Sequence, residues 1–485
     1  MLPQPRWFLP AAFPIGAGVL WMAVGWRSGI VVGLYASLPG ILLLGPGTAL
    51  LLWPGDRQIS HYLALGGLCS SLLALPMLLW TGVPSGALLV LVGLISFVLA
   101  GYAALYQAAP PPDAPTPRFN LSMARKVAID EAMLAYFVGS ARLPIGSRVE
   151  TDARELRELQ ALAEARDWLA HPARLHPAPP APAAPQVRAH RAAGESFLHL
   201  RFDSDYEPDP ALPGGARWAA YQANQKVHAW ILRHPGAPRA WVMGVHGYRM
   251  GMPWVDFSLF QVEHLHRRLG LNLILPVLPL HGPRRAFARS GTGFLDGQLA
   301  DIFHAEAQSL WDLRRSLAWL QSIEDAPRVA VLGYSLGGYN AALLAALEPD
   351  LACVIAGIPL ADIADAVWRH LPLVHRRYVE SSGVTPELAR AALAPVSPLA
   401  LPCQVERSRR YLFGATGDQL VPPGQVARLA AHWETEQILW YQGSHLSVRQ
   451  ESTVREYLTS ALEQSGLVGH GNAAHACAPA VETGE

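Results

Sequence analysis

The sequence predicts an α/β fold with a mostly parallel central sheet, joined at its N-terminal end to transmembrane helices. Three observations predict it. The first hundred residues are apolar segments of membrane-crossing length, almost without charge. From about residue 194, short runs rich in Val, Leu and Ile alternate with amphipathic stretches, a pattern that argues for a parallel sheet covered on both faces. One of those runs ends in Gly333-Tyr334-Ser335-Leu336-Gly337 and passes straight into an Ala- and Leu-rich helix former.

Composition narrows the classes. A chain of 485 residues suggests two or three domains. Lys and Arg total 38 and Asp and Glu total 38, so no basic footprint points to nucleic acid. Only 16% of residues are charged, and the mean hydropathy of +0.18 is apolar for a soluble protein. Cys69, Cys353, Cys403 and Cys477 are far apart, without metal or redox spacing. That argues against a disulfide framework and favours a reducing compartment.

In chain order, four apolar segments come first: 8–26, 29–53, 59–80 and 84–106. Each is near or above the ~20 residues a helix needs to cross the hydrocarbon core. Trp7, Trp26, Trp53, Trp80, Tyr102 and Tyr106 lie near their ends, as an aromatic belt would. Prolines inside them (Pro14, Pro39, Pro46, Pro76) are tolerated in membrane helices. The second, with Pro39 and Pro46, reads either as a span or as a re-entrant segment. Residues 1–107 are therefore expected to form a transmembrane region of about four helices. With four spans, Arg6, Arg57, Arg118, Arg125 and Lys126 share one side and Arg27 takes the other. The positive-inside rule then puts the rest of the chain in the cytoplasm. No Asp, Glu, Lys or Arg lies inside the spans, so they read as an anchor more than as a transport path.

Residues 108–193 read as Pro-rich linkers flanking helical segments. The stretch 121–138 is amphipathic and suits either the bilayer surface or the face of the following domain. The stretch 152–170 starts at Asp152, a plausible cap with Glu155 three residues on. Within 194–465, strands are expected at 196–202, 217–221, 226–233, 241–246, 272–277, 329–334, 352–357, 410–414 and 437–441. Helices are expected at 257–269 and 301–323 and after Ser335. The mainly helical stretch 359–409 interrupts the alternation. The tail 466–485 lacks periodicity and reads as disordered.

The Gly-x-Ser-x-Gly stretch has a steric meaning. A serine at so sharp a strand-to-helix turn sits in a strained conformation, and its neighbours two residues away must lack colliding side chains. The hydroxyl is held outside the turn, beside the first amides of the helix. This resembles the nucleophile elbow of the α/β-hydrolases, and the resemblance covers about 194–462. It implies a Ser, acid, His order along the chain. Asp418, in the loop after the strand at 410–414, matches the acid; Asp362 and Asp365 are its rivals, and a helix cap is its bland role. His445, after the last strand, matches the base; its bland role is a loop histidine. The resemblance also implies an oxyanion hole from the amides of Leu336 and Tyr248, the latter in His246-Gly247-Tyr248, with His246 bracing the loop. It makes 359–409 either a lid or a peripheral excursion. Arg284 and Arg285 follow another strand and could hold a substrate carboxylate or phosphate, or simply form a solvated basic loop.

The sequence carries no metal-ligand spacing and no phosphate-binding loop, so no cofactor is expected. The expected activity is hydrolysis of a carboxylic ester, small or lipid-like, by a membrane-anchored serine esterase. Acyl transfer or thioester cleavage by the same residues is the alternative, as is a non-catalytic scaffold.

Overall fold

Apolar segments of sufficient length fold as long helices wherever no proline interrupts their hydrogen-bond ladder at a point that packing cannot repair. The computed structural model describes residues 5–108 and 113–469. Its N-terminal helices are α1 (Pro5–Arg27), α2 (Ile30–Leu52), α3 (Gln58–Leu73), α4 (Met77–Trp80) and α5 (Val83–Gln107). Of these, α1, α2 and α5 are long and apolar enough to cross a membrane. The segment read as 59–80 does not make a fourth helix of that length. It breaks at 74–76, where Pro76 has no N–H to continue the ladder, leaving 16 residues in α3 and a single turn in α4. Pro39 and Pro46, by contrast, sit inside an unbroken α2, which is therefore not re-entrant.

Small residues bring these helices together. A methyl at Gly67 would strike the backbone of Phe97, and one at Gly18 the carbonyl of Gly40. Tyr35 Oη donates to the carbonyl of Leu73, linking α2 to α3. The antiparallel course puts 54–57 and Gln107 at one end, where Gln107 Nε2 donates to the Pro54 carbonyl at 3.0 Å.

Two helices follow. α6 (Leu121–Gly139) is capped by Asn120, whose side chain accepts from the amide of Met123. It packs on the hydrolase-like half, one of the two settings read from its sequence, and also on α3 and α5. α7 (Ser147–Ala165) begins earlier than expected. Asp152 does not cap it. Its Oδ1 instead accepts from the amide of Leu299, across in another helix.

The remaining elements run β1 (Gln186–Ala192), β2 (Glu195–Asp203), α8 (Gly215–Ala219), β3 (Lys226–Leu232), β4 (Trp241–Val245), α9 (Pro253–Leu259), β5 (Asn272–Pro276), α10 (Leu299–Ile323), β6 (Val329–Tyr334) and α11 (Leu336–Ala345). Then come β7 (Cys353–Gly357), α12 (Ile363–His370), α13 (Leu373–Ser381), α14 (Pro386–Leu393), β8 (Arg410–Ala415), α15 (Pro423–Trp433), β9 (Ile438–Tyr441) and α16 (Ser452–Gln464). They build a nine-stranded sheet ordered β1-β2-β3-β5-β4-β6-β7-β8-β9. β1 to β3 pair antiparallel, β3 pairs antiparallel with β5, and the pairs from β5 through β9 are parallel. This order, with the Ser335 turn at the end of the central β6, is the α/β-hydrolase fold. The helices bury one apolar layer on each face of the sheet.

Two strand expectations need correction. Residues 217–221 form no strand: 215–219 is α8, because Trp218 turns into the core to donate to Gln308 while Arg217 pairs with Glu155 and Asp301. β1 lies in a stretch read as linker and extends the sheet ahead of residue 194. Most of the tail read as 466–485 falls outside the described residues, as do Cys477 and part of the first Pro-rich linker.

Candidate active site

Ser335 occupies the single residue between β6 and α11, with φ 58° and ψ −118°. Its backbone is held on both sides: its amide donates to Gly357 O at 2.9 Å, and its carbonyl accepts from Leu360 N at 3.1 Å. The flanking glycines are a packing requirement. A methyl at Gly333 would strike the carbonyl of Gly337, and one at Gly337 the carbonyl of Val245. Leu336 opens α11, so its amide is among those a helix start leaves without an intrahelical acceptor.

The loop after β4 meets this turn. A methyl at Gly247 would lie 3.5 Å from Ser335 Cβ and 3.4 Å from the Tyr334 carbonyl. His246 steadies the loop from below. Its Nε2 accepts from Leu278 N at 3.1 Å, so Nδ1, 2.8 Å from Gly247 O, carries the proton. Burial pulls the His246 imidazole down to about 4, which keeps it neutral. The Tyr248 ring packs edge-on against Phe137 of α6, with centroids 5.7 Å apart. Burial, together with the charge of Asp296, pushes its phenol up to about 12.

Asp418 and His445 come from the loops after β8 and β9. His445 Nδ1 lies 2.7 Å from Asp418 Oδ2, with both residues buried. The second carboxylate oxygen, Oδ1, accepts from Val421 N at 2.7 Å, so Asp418 also caps its own loop. Burial alone would lower the His445 imidazole. The charge and hydrogen bond of Asp418, with the charge of Asp130, outweigh it and raise the group above its usual value. The rival acids are engaged elsewhere: Asp362 caps α12 and pairs with Arg390, and Asp365 pairs with Arg428. Ser335, Asp418, His445 and Tyr248 therefore all lie at the C-terminal ends of parallel strands, the edge where α/β sheets bind ligands.

Arg284 and Arg285 do not join them. Arg284 is fully buried, with Nη2 2.6 Å from Asp312 Oδ2 and Nη1 donating to the Val277 carbonyl. A guanidinium so enclosed holds loop to helix and has no open face for a substrate. Arg285 is exposed and donates back to the Gly282 carbonyl.

An apolar cavity of about 190 Å³ opens beside Ser335. Leu134 and Phe137 of α6 form one wall, Ile363, Val367 and Leu371 of the 359–409 insertion another. Tyr248 and Leu336 border it near the serine. The pairing of insertion and α6 over the cavity was not legible from the sequence.

Nor was Asp130. This α6 residue is fully buried, and it accepts from His445 N at 2.9 Å, Leu446 N at 3.1 Å and Gln419 N at 3.3 Å, with Ser444 Oγ at 2.9 Å. Burial first, then the charge of Asp418, lifts its carboxyl to about 7. The only signal in the sequence is a pair of acids, Asp130-Glu131, interrupting the polar rhythm of an amphipathic helix.

No family model matches the chain. Two relatives do: the uncharacterized proteins Rv2627c and MT2702 of Mycobacterium tuberculosis, each 37% identical over 361 residues, which is 74% of this chain and 86% of the relative. Among solved structures, an acetyl xylan esterase from Paenibacillus sp. R4 is similar at 20% identity and a TM-score of 0.42, covering 60% of this chain and 93% of its own. A cold-adapted esterase from an Arctic intertidal metagenomic library is similar at 15% identity and a TM-score of 0.37, covering 59% and 99%.

Proposed function

The chain belongs to the family of these uncharacterized mycobacterial proteins and has the α/β-hydrolase fold, and from that premise we propose that it is a membrane-anchored serine hydrolase acting on carboxylic esters. The observation that carries the reading is the 2.7 Å contact between buried His445 and Asp418, on the same sheet edge as the strained Ser335.

In this reading Ser335 Oγ attacks the ester carbonyl while His445 Nε2 takes its proton. Asp418, bonded to Nδ1, holds the ring in that tautomer and steadies the imidazolium that forms. The amides of Leu336 and Tyr248 receive the oxyanion. The tetrahedral intermediate collapses, the alcohol leaves with the proton from His445, and the acyl group stays on Ser335. Water then attacks, again through His445, and releases the acid. The apolar cavity takes the acyl group, with the 359–409 insertion as its lid. Its 190 Å³ compares with the ~150 Å³ of an apolar cavity that accepts benzene, so a short, branched or aromatic acyl group fits better than a long chain.

His445 must be neutral to act as base. Since its folded value lies above the usual one, kcat/KM falls as pH drops through a point above ~6.5, and is full on the alkaline side. A fluorophosphonate probe tests the whole reading: it labels wild type at Ser335 and leaves Ser335→Ala unlabelled. A folded wild type that stays unlabelled sinks the reading.

The three long apolar helices support a multi-pass anchor. Three spans alone would put the hydrolase opposite the N-terminus, but Gln107 meets Pro54 at one end of the bundle, so the broken α3–α4 segment carries the chain back and leaves Arg57 and the hydrolase on one side, where the charges support a cytoplasmic placement. In oriented vesicles, protease should then cut the second Pro-rich stretch, 171–185, from the cytoplasmic face. Cleavage from the opposite face alone reverses that orientation.

A further inference from the structure

α6 belongs to neither half of the molecule by fold. It follows the anchor in sequence and lies between the bundle and the catalytic loops. Two consecutive acids on it face opposite partners. Glu131 turns to the bundle, where its Oε2 lies 2.6 Å from His61 Nδ1 and 2.6 Å from Ser60 Oγ, both on α3. Asp130 turns to the hydrolase. A second contact crosses the same boundary: Arg57, just ahead of α3, donates to Gln419 Oε1 at 2.9 Å, next to Asp418. The fit is close along the helix. A methyl at Gly101 of α5 would strike the Ala124 carbonyl, and one at Gly417 would lie 2.9 Å from Met123 Sδ.

What Asp130 does follows from its acceptors. An ionised carboxylate is an acceptor only, with about four lone-pair sites. Here Oδ2 faces His445 N and Gln419 N, while Oδ1 faces Leu446 N and Ser444 Oγ. One of those donors lies in the acid's loop and three in the base's loop. The carboxylate thus continues the fastening of two loops beyond their last backbone bond, Gly417 N to Gly443 O at 2.9 Å, and these loops carry Asp418 and His445. Above a pH of about 7, where the carboxyl is ionised, its charge also faces the imidazole. Among the described residues Asp418 and Tyr441 also feel its charge, and the Lys126–Glu451 pair holds Gln442 and Ser447 of the same loop.

We propose that Asp130 is a positioning residue for the hydrolase reaction, and that α6 ties the geometry of the Asp418–His445 pair to the seating of the domain on its membrane helices. The proposal rests on the serine hydrolase reading. It makes the anchor part of the active site's scaffold as well as a tether.

The test uses the full-length protein in detergent micelles. Asp130→Asn keeps the shape, but it has only one acceptor oxygen and turns an NH₂ group toward two of the four donors. Fluorophosphonate labelling of Ser335 should slow about 10²-fold, the cost of a small misplacement of reacting groups. Above a pH of about 7, where Asp130 is ionised, His445 loses a negative neighbour in the variant, so the acid limb of labelling should move to lower pH; a purely structural role would not move it. Hydrogen exchange across 443–447 should speed up while the central strands stay protected. Glu131→Gln should slow labelling in the same sense. Asp130→Asn labelling within twofold of wild type with an unmoved acid limb overturns the positioning role, and wild-type behaviour of Glu131→Gln overturns the link to the bundle. A wild type that never labels overturns the hydrolase reading instead, and the exchange at 443–447 still decides whether Asp130 holds the loop.

Discussion

The N-terminal bundle and the hydrolase domain are built from similar apolar residues, but the bundle also turns many of them outward. In the bundle, many large side chains face outward, Leu79 at 87% exposed, Val31 at 78% and Ile30 at 72%, although Trp21, Leu43 and Leu63 are buried. Its interior holds Gly40, Gly66, Gly67, Ala64, Ala100 and Ser70. In the hydrolase, Leu332, Leu344 and Val331 are buried to within 1%. The difference is the one expected of a bundle in hydrocarbon, as proposed, beside a domain in water. Water drives large apolar side chains inward. Hydrocarbon gives no such drive, so helices associate by close backbone approach over small residues. Exposed leucines are thus a fault in one half and a requirement in the other.

Substitutions sharpen the contrast. On the proposed reading the largest effect should come from chemistry: Asp418→Asn should lower kcat about 10⁴-fold with little change in melting, as loss of the orienting acid does in serine hydrolases. Next comes the core. Leu344→Ala should cost about 2–5 kcal/mol, read from thermal unfolding in micelles, whereas exposed Val31→Ala should cost less than ~0.5 kcal/mol. If Val31→Ala destabilises as much as Leu344→Ala, the outward face of the bundle is not lipid-facing. Gly67→Leu reverses the rule: adding apolar bulk should cost about 1–3 kcal/mol or more, because Phe97's backbone leaves no room. A Gly67→Leu chain that melts like wild type would remove the close-approach argument.

How much of this was legible depended on how local the cause was. The Ser335 turn could be read because its glycines, strand and helix are adjacent in sequence. The meeting of Asp418 and His445 could be anticipated because each follows an apolar strand and precedes a helix. β1 was missed because its residues are exposed on both faces and it follows a Pro-rich run, so no alternation marks it. α8 was misread because what decides it is the docking of Trp218 against Gln308, 90 positions away. Arg284 suggested a ligand site because its partner Asp312 lies on another element. Asp130 is the extreme case. Its donors are about 290 to 315 residues downstream, and on a lone amphipathic helix an acid reads as a solvated face.

The backbone of Ser335 has one more consequence. Its positive φ costs a residue with a Cβ about 1–3 kcal/mol, a cost a glycine would avoid. Ser335→Gly should therefore melt several degrees above wild type while losing all turnover. On the proposed reading, the side chain that does the chemistry is also the one that holds the fold below the stability its backbone could reach.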